Sequence, residues 1–508
     1  MTEGRSNRTM ALAGLMAGAA ALAGCAVGPD YRPPIVETPP TFSATDASPP
    51  PDAWWTGFGD AELDRLTARA LDQNLDVRAA AARIAEAREQ TRIAGAEALP
   101  SLEAASAANT ISISKHSGLS SLASAAGALS GAKSPGQGGA SAFAGAGSPG
   151  LTIDTYQAGF DASWELDLFG GTRRQIEAAR AREDAALWSL RDAQVMLAAE
   201  VARSYLHLRS LDQQTAVEQA LTQARTDGVA FQKARQASGL TPTPELRAAE
   251  RSLAAETAQR QDVTAQRVAE AHALAVLLGE TPDALQAELA QPQPALADPS
   301  PAAVPTGLPS DLLLRRPDVR RAERDLAAAT ADVGAATADL YPKIALTGSD
   351  SLVSSALKTL VSSDSLQPSL GANLTLPIFE GGRLRATLKL RDAQAREAAL
   401  AYRSAVLGAL KDVEDALSRL QADQARAAQF ALSAAAADDA LAATRAQAHA
   451  GLIDGLALLD AQANALSAQS ALIQARFAEQ SDRVALNKAL GGGWASAPAM
   501  AADLTQER

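Results

Sequence analysis

The residues able to do chemistry in this 508-residue chain are few, and they do not assemble into a reaction centre. His116, His207, His272 and His449 are scattered, with no cysteine or carboxylate beside them at metal-ligand spacing. They read as exposed helix or loop histidines, and no metal is expected. Gly127 to Ser134 approaches a phosphate loop but lacks the glycine before Lys133. With no nucleophile–base pair either, neither an enzyme nor a cofactor is expected. What remains is a set of charges that recurs: Asp227 and Asp439 stand 212 residues apart, as do Lys233 and Arg445. Layers of carboxylates and cations near a helix turn can pair between neighbours and hold a narrow end shut, or ring a lumen and select cations. Charges on a solvated outer face give the same pattern.

That spacing belongs to a longer duplication. Asp76-Val77-Arg78 through Leu99-Pro100 matches Asp318-Val319-Arg320 through Tyr341-Pro342 without a gap, at an offset of 242. Leu166, Leu168, Phe169, Gly171 and Arg173 match Leu376, Ile378, Phe379, Gly381 and Arg383 at 210, and Gly239 and Leu278-Gly279 match Gly451 and Leu490-Gly491 at 212. Each half reads helix, strand, long loop, strand, very long helix, tight turn, long helix. The first repeat covers 61–310 and the second 311–494, flanked by segments 1–24, 25–60 and a disordered tail, 495–508.

No proline interrupts Gly171 to Thr241, nor the stretch from Gly381 to Pro498. Helices over 171–238 and 381–449 would each run about 100 Å at roughly 1.5 Å per residue. Val406, Leu410, Val413, Leu417 and Leu420 step 4, 3, 4, 3, and Val201, Tyr205 and Leu208 hold the equivalent places. Small-residue turns follow, Ser238-Gly239-Leu240-Thr241-Pro242 and Ala450-Gly451-Leu452-Ile453-Asp454, and then return helices over about 243–279 and 455–490. A soluble coiled-coil scaffold would share these helices. Seven prolines break 280–310 into an irregular connection.

The strands argue against a soluble scaffold. From 156 to 168, Tyr156, Ala158, Phe160, Ala162, Trp164, Leu166 and Leu168 alternate with polar residues, and Leu366, Leu370, Ala372, Leu374, Leu376 and Ile378 do so in the second copy. Segments of this kind, about 152–168 and 366–378, fit a transmembrane barrel with lipid on one face and water on the other; a half-buried soluble sheet alternates in the same way. Their partners, about 101–113 and 343–353, are weaker, with clear alternation only at Ile111, Ile113, Ile344 and Leu346. Four strands cannot close a barrel in lipid, so spanning strands require several chains to pool them. Each long helix starts within two or three residues of a strand's end. The stretches 114–151 and 354–365 suit mobile external loops.

Aromatics are only 4% and alanine dominates the apolar residues, which suits close helix packing; a net charge of −12 without a basic stripe removes nucleic acid from the expected partners. The single cysteine, Cys25, excludes an internal disulfide. It follows a basic start (Arg5, Arg8) and an apolar run, Met10 to Ala23, too short to span a bilayer as a helix. This is a secretory signal over 1–24. Leu22-Ala23-Gly24-Cys25 looks like a bacterial lipobox, which implies cleavage before Cys25 and a covalent lipid there, diacylglycerol on the thiol and an N-acyl chain. An ordinary signal with an incidental cysteine is the alternative.

Taken together, the chain resembles the outer-membrane efflux channels of resistance-nodulation-division pumps, in their lipoprotein branch. The residues carrying the resemblance are Cys25 with Val27-Gly28-Pro29-Asp30-Tyr31, Trp54-Trp55 with Phe58 and Asp60, and Phe169-Gly170-Gly171. Asp311 through Asp318, Pro377-Ile378-Phe379 with Gly381-Gly382, Leu458 through Gln462, and Leu490 through Trp494 complete them. The resemblance implies a mixed α and β membrane protein: a homotrimer whose twelve-stranded outer-membrane β-barrel is continuous with a twelve-helix periplasmic α-barrel. It implies a passive exit duct for drugs or other small compounds, served by a periplasmic adaptor and an inner-membrane transporter. Ala26 after the cysteine, rather than Asp, places the anchor in the outer membrane by lipoprotein analogy. Gly239, Leu240, Thr241, Gly451, Leu452 and Asp454 become candidate adaptor-docking tips. The family often sets an acidic ring close to the turn, where this chain has Arg445. A type I protein-secretion duct has the same fold, and a non-channel periplasmic scaffold lipoprotein is a reading of another class.

Overall fold

A computed structural model describes residues 26–43, 48–113, 151–289 and 305–495. The signal and Cys25, the 114–150 stretch with His116 and the phosphate-loop-like run, the middle of the proline-rich connection, and the tail from 496 lie outside the described residues. The elements in order are α1 (Ala61–Gln73), α2 (Leu75–Ala96), β1 (Ser101–Ile113), β2 (Leu151–Leu166), α3 (Gly171–Ala237), α4 (Thr243–Leu277) and α5 (Gln286–Leu289). Then come α6 (Pro309–Arg315), α7 (Pro317–Ala338), β3 (Lys343–Ser354), α8 (Leu357–Leu360), β4 (Leu366–Thr375), α9 (Arg383–His449) and α10 (Gly455–Ala489). The duplication is visible as matched lengths: α2 and α7 have 22 residues each, α3 and α9 have 67, and α4 and α10 have 35.

The chain divides into two compact units. The first, residues 1–30, 92–177 and 331–391, contains one antiparallel sheet of order β1-β2-β3-β4. Its register aligns the apolar positions of all four strands. Leu102 pairs with Ala162, Ala104 with Phe160, Trp164 with Leu346, Leu166 with Ile344, Gly348 with Leu370 and Ile344 with Leu374. Because side chains alternate at period two, these positions share one face. Ser101, Ser163, Thr347, Gly371, Asp161, Ser349 and Ser369 line the other. β1 joins the apolar face through Leu102, Ala104 and Ala108; Ile111 and Ile113 belong to residues whose side chains are not described. Asp350, opposite both Phe160 and Pro368, is a charge on the apolar face that alternation alone did not reveal. Every residue of β4 is exposed.

Several boundaries differ from the sequence reading. β2 stops at Leu166 rather than 168 and β4 at Thr375 rather than 378. Pro377 has no N–H for a ladder. Each long helix then starts after a corner rather than within three residues of its strand. The corners carry Gly170 at φ +81°, and Gly381 and Gly382 at +59° and +86°, a region that side chains strongly disfavour. The second loop is not structureless. It holds α8 and a 3-10 turn at Ser363–Ser365, with Ser365 Oγ donating to the Thr359 carbonyl at 2.7 Å. The connection after α4 likewise contains α5 and α6.

The second unit, residues 31–91, 178–330 and 392–508, has helices and no strand among its described residues. Its two main apolar clusters repeat the duplication. Val201, Tyr205 and Leu208 are buried with Trp54, Trp55, Leu63, Leu66 and Leu274 in one. Val406, Val413 and Leu420 are buried with Val319, Leu486 and Leu490 in the other, and Leu410 and Leu417 pack against its edge. Asp60 explains its place in the motif. One oxygen caps α1, accepting from the Glu62 and Leu63 amides at 2.9 and 3.3 Å, and the other accepts the Tyr205 hydroxyl at 2.8 Å. Burial and that bond raise the Tyr205 phenol above its ordinary range, so it stays a neutral donor. Among the described residues no helix is long and apolar enough to cross a membrane, and no His, Cys, Asp and Glu cluster could hold a metal.

Candidate functional site

The predicted tips are two helical turns of the second unit, and each is a tight C-terminal cap. At the first, the Gly239 amide donates to Gln236 at 2.9 Å and the Leu240 amide to Arg235 at 2.8 Å. At the second, Gly451 donates to Ala448 and Leu452 to Gln447, both at 3.0 Å. This double closure needs a left-handed residue, supplied by glycines at φ +74° and +70°. An added Cβ at either would meet nothing within 4 Å, so backbone conformation, not crowding, requires glycine. The cap presents Leu240 and Leu452 outward, 68% and 75% exposed. Thr241 differs from its neighbours: it is buried, with no partner for its hydroxyl.

The turns are not equivalent beyond the cap. Asp454 caps α10, accepting from the Ala457 amide at 3.0 Å, and its second oxygen takes Arg235 of α3 at 2.9 Å. At the matching place before α4 stands Pro242, which makes no side-chain cap bond. Arg225 of α3 reaches Asp460 of α10 at 3.6 Å, and Gly455 leaves room for the Phe231 ring. The structure thus ties the long helix of one copy to the return helix of the other by two ion pairs, 219 and 235 residues apart in sequence. Sequence spacing within one helix carries no signal for such a partner. The four charges chosen from the sequence are all exposed. Asp227 accepts from Gln223 of its own helix at 2.9 Å, and Lys233 lies 3.8 Å from Glu250 of α4. Within one chain they do not come together.

Further along the same helices, each copy closes its hairpin onto the preceding helix with a different residue. Asn74 caps α2 and donates to the Leu277 carbonyl at the end of α4, at 2.8 Å. Arg316, its counterpart before α7, donates to the Ala489 carbonyl at the end of α10, at 3.1 Å. It also grips Asp318 at 2.7 Å and Asp412 at 3.1 Å. Burial opposes the guanidinium charge, but these carboxylates outweigh it and raise the pKa. His207 is not the plain exposed histidine of the sequence reading. Its Nδ1 lies 3.1 Å from Glu270 and its ring stacks on Phe477 at 4.7 Å. Glu270 also accepts the Ser204 hydroxyl at 2.6 Å; burial works against its charge, yet these two bonds hold its carboxyl below the usual range. None of this is reaction chemistry. It is a framework of helix ends joined by polar contacts.

Comparison with known proteins gives the chain's relatives. The family model described as Outer membrane efflux protein matches residues 66–280 and again 308–492, one match per repeat. The chain is 34% identical to the pyoverdine export outer membrane protein OpmQ of Pseudomonas aeruginosa, over 87% of this chain and 88% of OpmQ. It is 29% identical to the probable outer membrane lipoprotein SilC of Salmonella typhimurium, over 93% of this chain and 96% of SilC. Among solved structures, the outer-membrane channel OprN superposes with a TM-score of 0.79 at 30% identity, covering 92% of this chain and all of that one.

Proposed function

Because the chain belongs to the outer membrane efflux protein family, we propose that it serves as the passive outer-membrane exit duct of a tripartite efflux pump, working as a homotrimer. The observation that carries the reading is the sheet. Its four strands align one apolar face in register, and both edges, β1 and β4, have no strand partner among the described residues. An open edge in hydrocarbon leaves several kcal/mol per unsatisfied backbone group, so β4 of one copy must find β1 of another. Three copies then give a closed barrel of twelve strands above twelve periplasmic helices. Asp350 stands about seven residues from the helix end of β3, toward the outer interface, where a charge on the lipid face costs least.

Residues 1–24 are removed and Cys25 is acylated, adding chains that hold the protein to the membrane. Leu240 and Leu452, with Gly239, Gly451 and Asp454, form the surface that meets the periplasmic adaptor, behind which an inner-membrane resistance-nodulation-division transporter supplies the energy; Thr241, being buried, supports that turn rather than facing a partner. Closure at the tips rests on Arg235–Asp454 and Arg225–Asp460 within each copy, and on Asp227, Asp439, Lys233 and Arg445 between copies. The testing experiment is reconstitution of the mature protein in planar bilayers. Discrete conductance steps and a trimer mass in detergent are expected; a water-soluble monomer without conductance would overturn the reading. Cysteines at Leu240 and Leu452 should crosslink to the adaptor, and labelling only around α5 and α6 would contradict docking at the tips.

A further inference from the structure

The first residues after Cys25 are seated in the first unit by close backbone contact. Val27 donates its amide to the Phe169 carbonyl at 3.0 Å, in the corner between β2 and α3. A Cβ on Gly170 of that corner would lie 2.7 Å from Ala26 Cα, and one on Gly28 would lie 2.5 Å from the Gly334 Cα of α7. No larger residue fits either place without moving backbone. Arg174, 5% exposed, completes the seat. It donates to the Val27 carbonyl at 3.4 Å and to Asp30 at 2.6 Å, with Glu177 at 2.8 Å on its other side. Its own aliphatic stem fills the space that a side chain at 334 would need, at 2.9 Å. Burial disfavours its charge, and the two carboxylates restore it.

A tether for a lipid needs none of this; a run of flexible residues would do. Resting on the acylation reading above, we propose that Ala26–Asp30 is a rigid mount that fixes where the acyl chains enter the membrane, level with the helix end of the sheet. Residue 25 is joined to Ala26 by a single peptide bond, so seating Ala26 against Gly170 limits how far an acylated terminus can stray from that corner. The partner of this surface is the bilayer leaflet at the sheet's helix end, and the mount sets the depth of the strands relative to the anchor.

A spin label on Ala26→Cys tests it in the assembled, acylated protein in lipid, where Cys25 is blocked and only the new thiol reacts. The expected spectrum is immobilised, with a membrane depth equal to that of a label on Gln175→Cys. Gly28→Ala, whose methyl would press on the Gly334 Cα of α7, and Asp30→Asn should each convert the label at 26 to a mobile spectrum while the trimer persists. A mobile label in the unaltered background, or one that stays immobile in Gly28→Ala, overturns the mount. Label taken up by Cys25 itself, seen by mass in protein lacking the introduced cysteine, would refute acylation alone and leave the mobility result standing as the answer on seating.

Discussion

Asn74 and Arg316 hold one place in the duplicated joint, and they solve it with unlike chemistry. Both satisfy the last carbonyl of a return helix, at Leu277 and Ala489. Both sit under a glycine whose missing side chain makes room, since a Cβ on Gly279 would lie 2.8 Å from the Gln73 carbonyl and one on Gly491 would lie 3.1 Å from Arg316 Cα. The neutral joint stands alone, whereas the cationic joint recruits Asp318 and Asp412 and so binds a third helix, α9. Duplication preserved the backbone contact and left the side chain free to acquire new partners. The lesson is that equivalence in this chain resides in carbonyl and glycine positions more than in residue identity.

The comparison breaks most readily at Arg316. Arg316→Ala strands two carboxylates and a helix-end carbonyl, and should cost on the order of 2–3 kcal/mol, as charged hydrogen bonds do. Asn74→Ala removes a helix cap and one carbonyl bond, at about 1 kcal/mol. Thermal midpoints followed by helical circular dichroism should fall in that order, with Arg316→Asn in between. Equal losses at the two sites would mean that the extra partners of Arg316 contribute nothing.

A second contrast lies in the carboxylates 212 residues apart, Glu270 and Asp482. Burial and the neighbouring Asp423 push Asp482 up to about 6, while Arg419 and Arg426 oppose the rise. A raised acid stabilises the fold fully below its ordinary value, and that contribution fades as pH rises through about 6. Glu270, held low by His207 and Ser204 against its burial, stabilises above the ordinary carboxylate range and loses its effect only as pH falls through its lowered value. Amide exchange, corrected for its intrinsic pH dependence, should therefore slow in α10 between pH 7.5 and 5, with α4 unchanged. Asp482→Asn should abolish the slowing. The same response in both helices would erase the contrast.

Smaller effects are expected at the tips. Asp454→Ala removes both a cap and the Arg235 pair, so it should raise single-channel conductance more than any change at Pro242, which makes no side-chain cap bond. Asp227→Ala combined with Asp439→Ala should raise it further still if those charges face one another between copies; unchanged conductance and ion preference would exclude them from closure.

Much of this was legible in the residues. Period two located the strands, proline-free stretches located the long helices, and the paired Gly239 and Gly451 marked the turns between long and return helices. What stayed hidden shares a cause: a helix face can be read from its period, but its partner cannot. Nothing near Asp454 announces Arg235, and nothing near Gly28 announces Gly334. Asp60 stood out as a motif residue, yet only the fold shows it holding Tyr205. The strand ends were missed because alternation continues past Leu166 and Thr375 although pairing does not.

The identical helix lengths constrain how this chain can change over generations. Losing a single residue from α3 would lift the Gly239 cap by roughly 1.5 Å and swing everything beyond it by about 100°, parting Arg235 from Asp454. A compensating loss would have to occur in α9 as well. Insertions and deletions should therefore be purged from these helices, or arrive as matched events in both copies, while the loops at the far end of the sheet drift freely in length.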